Sequence, residues 1–151
     1  MAKNDGFMAQ ALEEARLAGE RGEIPVGAVL VVDGKIVARS GNRTRAENDV
    51  TAHAEIAVIR EASKLLGQER LAGADLYVTL EPCTMCAGAI SFARIRRLYY
   101  GAEDAKGGGV DNGVRFYRQP TCHHVPEVYS GLCETEAAAL LVCFFRSRRE
   151  T

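Results

Sequence analysis

The chain lacks almost everything that would mark a membrane, secreted or wholly basic protein. Its 19 Lys and Arg are cancelled by 20 Asp and Glu, leaving a net charge of -1 and a pI near 6.3. That balance excludes the whole-domain basic character that would by itself indicate nucleic-acid binding, so any polyanion must be met by a local patch. No apolar run reaches the roughly 20 residues that a transmembrane helix needs. The opening Met1-Ala2-Lys3-Asn4-Asp5-Gly6 is polar and the stretch after it is amphipathic, unlike the apolar core of a secretory signal. The expected location is the cytoplasm, with no membrane partner. Internal repeats, linkers and low-complexity segments are missing too. The 151 residues fit one domain, long enough to bury about 68–70% of its unfolded surface. Nor is there an even set of cysteines for a disulfide framework. There are five, two of them in Cys-x-x-Cys, which in a reducing compartment points to metal or redox chemistry.

What is present is an alternation of helical and strand patterns. Met8, Ala11, Leu12, Ala15 and Ala18 predict a helix over about residues 5–21, stopped at Gly22. Val26 to Val32 and Lys35 to Arg39 read as strands around an Asp33-Gly34 hairpin turn. A polar loop leads to a helix over His53 to Leu66, which Thr51 or Asp49 could cap. Ala74 to Leu80 reads as a buried strand, Thr84 to about Ala93 as a helix, and Arg94 to Tyr100 as a strand. Gly107-Gly108-Gly109 opens a flexible loop. Val125 to Tyr129 is a short strand, with Pro126 tolerated there only at an edge or a strand beginning. Thr135 to about Arg148 is the last helix. Strands alternating with helices argue an α/β fold with helices on both faces of one sheet.

The chemistry is concentrated in Thr51-Ala52-His53-Ala54-Glu55 and, thirty residues on, Glu81-Pro82-Cys83-Thr84-Met85-Cys86. Cys83 and Cys86, at i and i+3 on a helix's first turn, put both sulfurs on one side, and His53 completes a zinc set from another helix start. Three protein ligands leave a fourth position for water, the catalytic arrangement, and zinc lowers the pKa of that water to about 7. Glu55, about 200° round the helix from His53, need not be a ligand. It is either a proton shuttle beside the water or a solvated helix-face carboxylate. Cys133 and Cys143 read as small buried hydrophobes. Cys122-His123-His124 reads as a surface segment ahead of a second metal site.

His-x-Glu followed by Pro-Cys-x-x-Cys resembles the signature of the zinc-dependent nucleobase deaminases, a known pattern for that chemistry. The likeness extends through Glu23-Ile24-Pro25-Val26-Gly27-Ala28-Val29-Leu30, Gly41-Asn42-Arg43, Leu76 to Ile90, Tyr100-Gly101-Ala102-Glu103-Asp104-Ala105-Lys106 and Phe144-Phe145-Arg146-Ser147-Arg148-Arg149. Over this span the chain is similar to the bacterial tRNA-specific adenosine deaminase family. The resemblance implies a cytidine deaminase-like, three-layer α/β/α fold with a central mixed five-stranded sheet, and one zinc ion per subunit held by His53, Cys83 and Cys86. It implies hydrolysis of the wobble adenosine, position 34 of a tRNA anticodon, to inosine. Activated water would attack adenine carbon 6, with Glu55 carrying the proton to ring nitrogen 1 and then to the departing amine. It implies a homodimer with the tRNA anticodon loop across both subunits and the Ala89–Ala93 helix near the interface.

On the substrate side, the resemblance assigns a base-contacting role to Asn42, places Ala54 at the base, and brings Asp104 toward the ribose and backbone with Lys106 bordering the site. From the residues alone, Asn42 and Asp104 could instead be turn residues. Phe144, Phe145, Arg146, Arg148 and Arg149 combine rings and charge suited to splayed anticodon bases and phosphates, or form a solvated basic helix end. Arg43 and Arg45 could extend the patch. The loop from Gly107 to Pro120 matches the family least. Two other readings stand beside this one: a free-base, nucleoside or nucleotide deaminase on the same scaffold, and a zinc-stabilised RNA-binding module without catalysis.

Overall fold

The computed structural model describes residues 2–150, with side chains from 6 to 148. Five strands form one mixed sheet: β1 (Gly27–Val32), β2 (Lys35–Gly41), β3 (Asp75–Leu80), β4 (Arg97–Ala102) and β5 (Glu127–Tyr129), in the order β2-β1-β3-β4-β5. β1 runs antiparallel to both β2 and β3, whereas β3, β4 and β5 are parallel. The β1–β2 hairpin turns on Asp33 and Gly34, both at positive φ (51° and 76°), as a two-residue turn with matching twist requires. β5 is one of the two outer strands, and Pro126 just before it removes no ladder hydrogen bond.

Helices α1 (Ala2–Glu20) and α4 (Glu134–Glu150) lie on one face, α2 (Ala54–Leu66) and α3 (Thr84–Phe92) on the other. The result is the three-layer α/β/α architecture. Side chains alternate between the layers with period two. Val29, Val31, Tyr77 and Tyr99 meet Met8 and Ala11 of α1, and the Tyr77 and Tyr99 rings stack with centroids 4.3 Å apart. Ala28, Leu30, Leu76, Val78, Leu98 and Tyr100 form the larger core with Ala54, Val58 and Ala62 of α2 and Ala87 and Ile90 of α3. No described helix is long and apolar enough to cross a membrane.

Several expected boundaries move, each for a local reason. The Arg94 to Tyr100 strand begins only at Arg97, because residues 94 and 95 are used to end α3. Arg94 adopts φ 62° and donates its N–H to Ser91, and Ile95 N–H closes back to Ile90, a left-handed helix stop. α1 ends similarly, with Gly22 N–H on Gly19 and Glu23 N–H on Ala18. Neither Thr51 nor Asp49 caps α2: Asp49 accepts the Thr51 N–H and hydroxyl instead, and His53 holds the N-cap position without a side-chain cap bond.

The topology gathers four segments at one end of the sheet. The parallel β3 and β4 end there, β1 begins there, and β2 returns there, with Gly41 opposite Gly27. Glu23, Asn42, Glu81 and Asp104 therefore share that end, outside the carboxyl ends of β3 and β4, where α/β sheets place ligands.

Candidate active site

His53 and Cys83 are the N-cap residues of α2 and α3, and Cys86 lies in the first turn of α3. Both helix N-termini thus direct partial positive charge toward the sulfurs. His53 Nδ1 lies 3.6 Å from Cys83 Sγ and 3.5 Å from Cys86 Sγ. A tetrahedral zinc with bonds of about 2.3 Å to sulfur and about 2.05 Å to nitrogen separates such atoms by about 3.6 Å. The residues fit the ion. Their ligand atoms all lie within 4.8 Å of one another, and among the described residues this is the one such group.

Within the trio, the Cys86 thiol donates to Cys83 and, with His53, outweighs burial to hold the Cys83 thiol down at about 4. The same contact, with burial, pushes Cys86 up. His53 is raised by its hydrogen bond to Cys83, against the effect of burial. A cysteine already favouring thiolate is what a metal ligand requires.

Glu55, in the first turn of α2, is buried at 3% exposure yet stands outside the ligand trio. Burial pushes its carboxyl up to about 7, opposed by its own backbone N–H, the nearby His53 and a hydrogen bond with Cys86. A carboxyl with that pKa can both take and give a proton near neutrality.

Asn42 is buried and its Oδ1 accepts the Ala54 backbone N–H at 2.9 Å. The Gly-Asn turn residue thus caps α2 from outside the helix, and its NH2 is left to donate. Ala54 is fully buried between the ligand and the carboxylate. Asp104 turns its carboxylate onto the N–H groups of Lys106 and Gly107. Asp104 and Lys106 nevertheless line a cavity of about 760 Å³ with Ile24, Leu80, Phe145 and Arg148. The structure therefore brings the strand-end loop and the C-terminal helix to one cleft, whose wall includes Leu80 at the end of β3 but none of the metal-ligand trio, Glu55 or Asn42.

In the tail, Phe144 and Phe145 meet edge to face at 5.5 Å, and neither packs fully on the core. The Arg148 guanidinium sits 4.8 Å from the Phe144 ring centroid and donates to the Gly22 carbonyl at 3.1 Å. Arg146 is exposed. The side chain of Arg149 lies outside the described residues. Cys122 and His124 pack against α3 through Ser91 and the Ile95 carbonyl and join no metal group. Cys133 is half-buried against the Met8 cluster, but Cys143 is exposed, because it falls on the outer side of α4.

Two residues were hidden by their role as motif letters. Glu23, 2% exposed, accepts the N–H groups of Arg45 and Ala46 and the Thr44 hydroxyl, pinning the loop that follows Asn42. Glu81, also 2% exposed, does the same for the loop after Asp104. That loop is therefore not the flexible segment its three glycines suggest. The one sequence signal was an acid set among apolar neighbours, in Glu23-Ile24-Pro25 and Leu80-Glu81-Pro82.

Fold and donor set together define a zinc-dependent deaminase of the cytidine deaminase class, and the family model for the cytidine and deoxycytidylate deaminase zinc-binding region matches residues 1–102. A tRNA-specific adenosine deaminase of Agrobacterium fabrum is 72% identical over 99% of this chain and 98% of its own length. One from Bacillus subtilis is 45% identical over 99% and 93%. A solved structure from a study of A-to-I editing by tRNA:A34 deaminases at the wobble position superposes with a TM-score of 0.89, at 75% identity over 90% of this chain and 99% of that one. The chain belongs to the tRNA-specific adenosine deaminase family.

Proposed function

We propose that the chain, residues 1–151 as one domain, hydrolyses the wobble adenosine of a tRNA anticodon to inosine and releases ammonia. The observation that carries the chemistry is the buried Glu55 beside a ligand trio spaced for zinc. A zinc ion held by His53, Cys83 and Cys86 would supply water acidified to a pKa of about 7. Glu55 takes one proton from that water as its oxygen bonds to purine carbon 6, and passes it to nitrogen 1. It then takes the second proton, from the new carbon 6 hydroxyl, and gives it to the amine, which leaves as ammonia as the carbon–nitrogen bond breaks and the carbonyl forms. Glu55 thus serves as base and then acid. Asn42 offers its NH2 to the purine edge, and Ala54, itself fully buried, supports it through the hydrogen bond that orients Asn42. Asp104 is the candidate for a 2′-hydroxyl contact, which separates RNA from DNA. Lys106, Phe144, Phe145, Arg146, Arg148 and Arg149 are the residues for flanking bases and phosphates.

Exposed apolar side chains on α3, Phe92 at 75% and Met85 at 37%, support a homodimer through the Ala89–Ala93 face. A tRNA substrate supports work in the cytoplasm. The test is inosine formation and ammonia release by zinc-loaded protein on an anticodon stem-loop with a wobble adenosine, beside free adenosine, cytidine, cytosine and guanine. Turnover on the stem-loop alone is expected. Turnover confined to a free base or nucleoside would discard the tRNA substrate, and silence on all would leave a zinc-stabilised RNA-binding module.

A further inference from the structure

Glu81 lies between the end of β3 and the ligand Cys83, buried, and its two oxygens collect backbone and side-chain N–H groups from a single loop. Oε1 accepts Asp104 N–H at 3.0 Å and Asn112 Nδ2 at 2.6 Å. Oε2 accepts the N–H groups of Val110, Asp111 and Asn112 at 3.1, 2.9 and 3.0 Å. A neutral amide could not replace it, since one of its two ends would aim a donor at donors.

The same loop is laid directly on the metal-ligand turn. Gly109 N–H donates to the Pro82 carbonyl at 2.8 Å, and Gly108 bridges to Cys83 as in an antiparallel pair. A Cβ on Gly108 would stand 2.5 Å from the Glu81 carboxylate, so the loop backbone and the carboxylate touch without spare room. From this anchored loop Asp104 and Lys106 form part of the cavity wall.

We propose that Glu81 is a positioning residue for the nucleic-acid substrate: it fixes the Asp104–Asn112 loop to the Cys83 turn, holding the cavity wall in register with the metal-ligand trio. The proposal rests on the RNA reading above for its substrate. It separates Glu81 from the neighbouring motif residues, because its effect passes through the loop and leaves the ion and Glu55 in place.

The experiment compares the zinc-loaded full chain with Glu81→Gln, Asn112→Ala and, as a control for the second bond of the Asn112 amide, Glu103→Gln. Asn112→Ala removes the donor shared by Glu81 and Glu103 while leaving the Glu81 carboxylate and the ligand turn intact. Zinc per chain, amide hydrogen exchange over residues 104–112, and kcat and KM on the anticodon stem-loop are measured together. For Glu81→Gln, unchanged zinc, faster exchange at Val110, Asp111 and Asn112, and a KM raised about tenfold with kcat within about threefold are expected. Asn112→Ala should move KM and exchange the same way by less. Faster exchange with unchanged KM would overturn the proposal, making Glu81 a structural peg alone, and so would a KM change that tracks lost zinc. If Glu81→Gln does not fold, unchanged KM in Asn112→Ala overturns it. Failure of the unsubstituted chain on RNA would be seen first, and would instead defeat the RNA reading.

Discussion

Asn42 and Ala54 are joined across twelve residues by one hydrogen bond, the Ala54 backbone N–H donating to Asn42 Oδ1 at 2.9 Å. The bond satisfies an amide at the start of α2 and, at the same stroke, fixes the Asn42 side chain on the residue that separates His53 from Glu55 in the sequence. On the proposed function this side chain would serve folding through its oxygen and base recognition through its nitrogen, and the two roles can be separated by substitution.

Asn42→Asp keeps the acceptor and places negative charge at a helix N-terminus, so its stability should match or slightly exceed that of the unsubstituted chain. Asn42→Ala loses the cap and should cost about 1 kcal/mol in urea unfolding. Both lose the donor, and both should raise KM for the stem-loop. An Asn42→Asp protein with unaltered KM would remove Asn42 from base recognition.

Glu55→Gln should lower kcat by about 10²–10⁴-fold, the range for a positioned general acid–base group. Zinc content should not change, because Glu55 stands outside the His53, Cys83 and Cys86 trio. Ammonia release and metal analysis on the same sample check both halves. Near-normal turnover would mean that another group moves the proton.

The sequence made the ligand trio and Glu55 legible because their identities and spacing are the chemistry: two sulfurs on one helical turn, an imidazole and a carboxylate on another. The α/β alternation was legible for the same kind of reason, a change of apolar period along the chain. Glu23 and Glu81 were not, since their partners are backbone N–H groups 22 to 31 residues away, and a backbone amide leaves no mark in a sequence. The apparent flexibility of Gly107-Gly108-Gly109 misled for a related reason. Glycine there answers to close packing on Glu81 and the Cys83 turn, a demand that only the folded chain reveals.

Glu23 gives a pH-dependent test of its loop. Burial would raise its carboxyl, but the Ala46 and Arg45 amides and the Thr44 hydroxyl outweigh burial and hold it below 4.5. A carboxyl depressed on folding stabilises the fold above its unfolded value and ceases to do so as pH falls through its folded value. Glu23→Gln should therefore be less stable by about 1–3 kcal/mol at pH 7, the range for hydrogen bonds to a charged group. The difference should shrink below about pH 4.5 and vanish in stronger acid. Urea unfolding of both proteins at pH 7 and in acid measures it. A difference that persists unchanged in acid would show that the charge of Glu23 contributes nothing.

Arg146 and Arg148 separate electrostatic attraction from packing within the basic tail. Arg148 is tied to Gly22 and laid over Phe144, so Arg148→Ala should both weaken RNA binding and lower the melting temperature by loosening α4 from the end of α1. Arg146 is exposed, with neither an ion pair nor a hydrogen bond among the described residues, so Arg146→Ala should leave the melting temperature unchanged. Each phosphate contact on single-stranded nucleic acid contributes about 0.7 to the slope of log affinity against log salt. Titrating the stem-loop onto the Glu55→Gln background between about 50 and about 200 mM salt should show affinity falling throughout. The slope should be shallower by roughly one contact in either arginine variant. A salt-independent Kd would mean that the net charge of -1 conceals no local patch for RNA and that the tail is a solvated helix end.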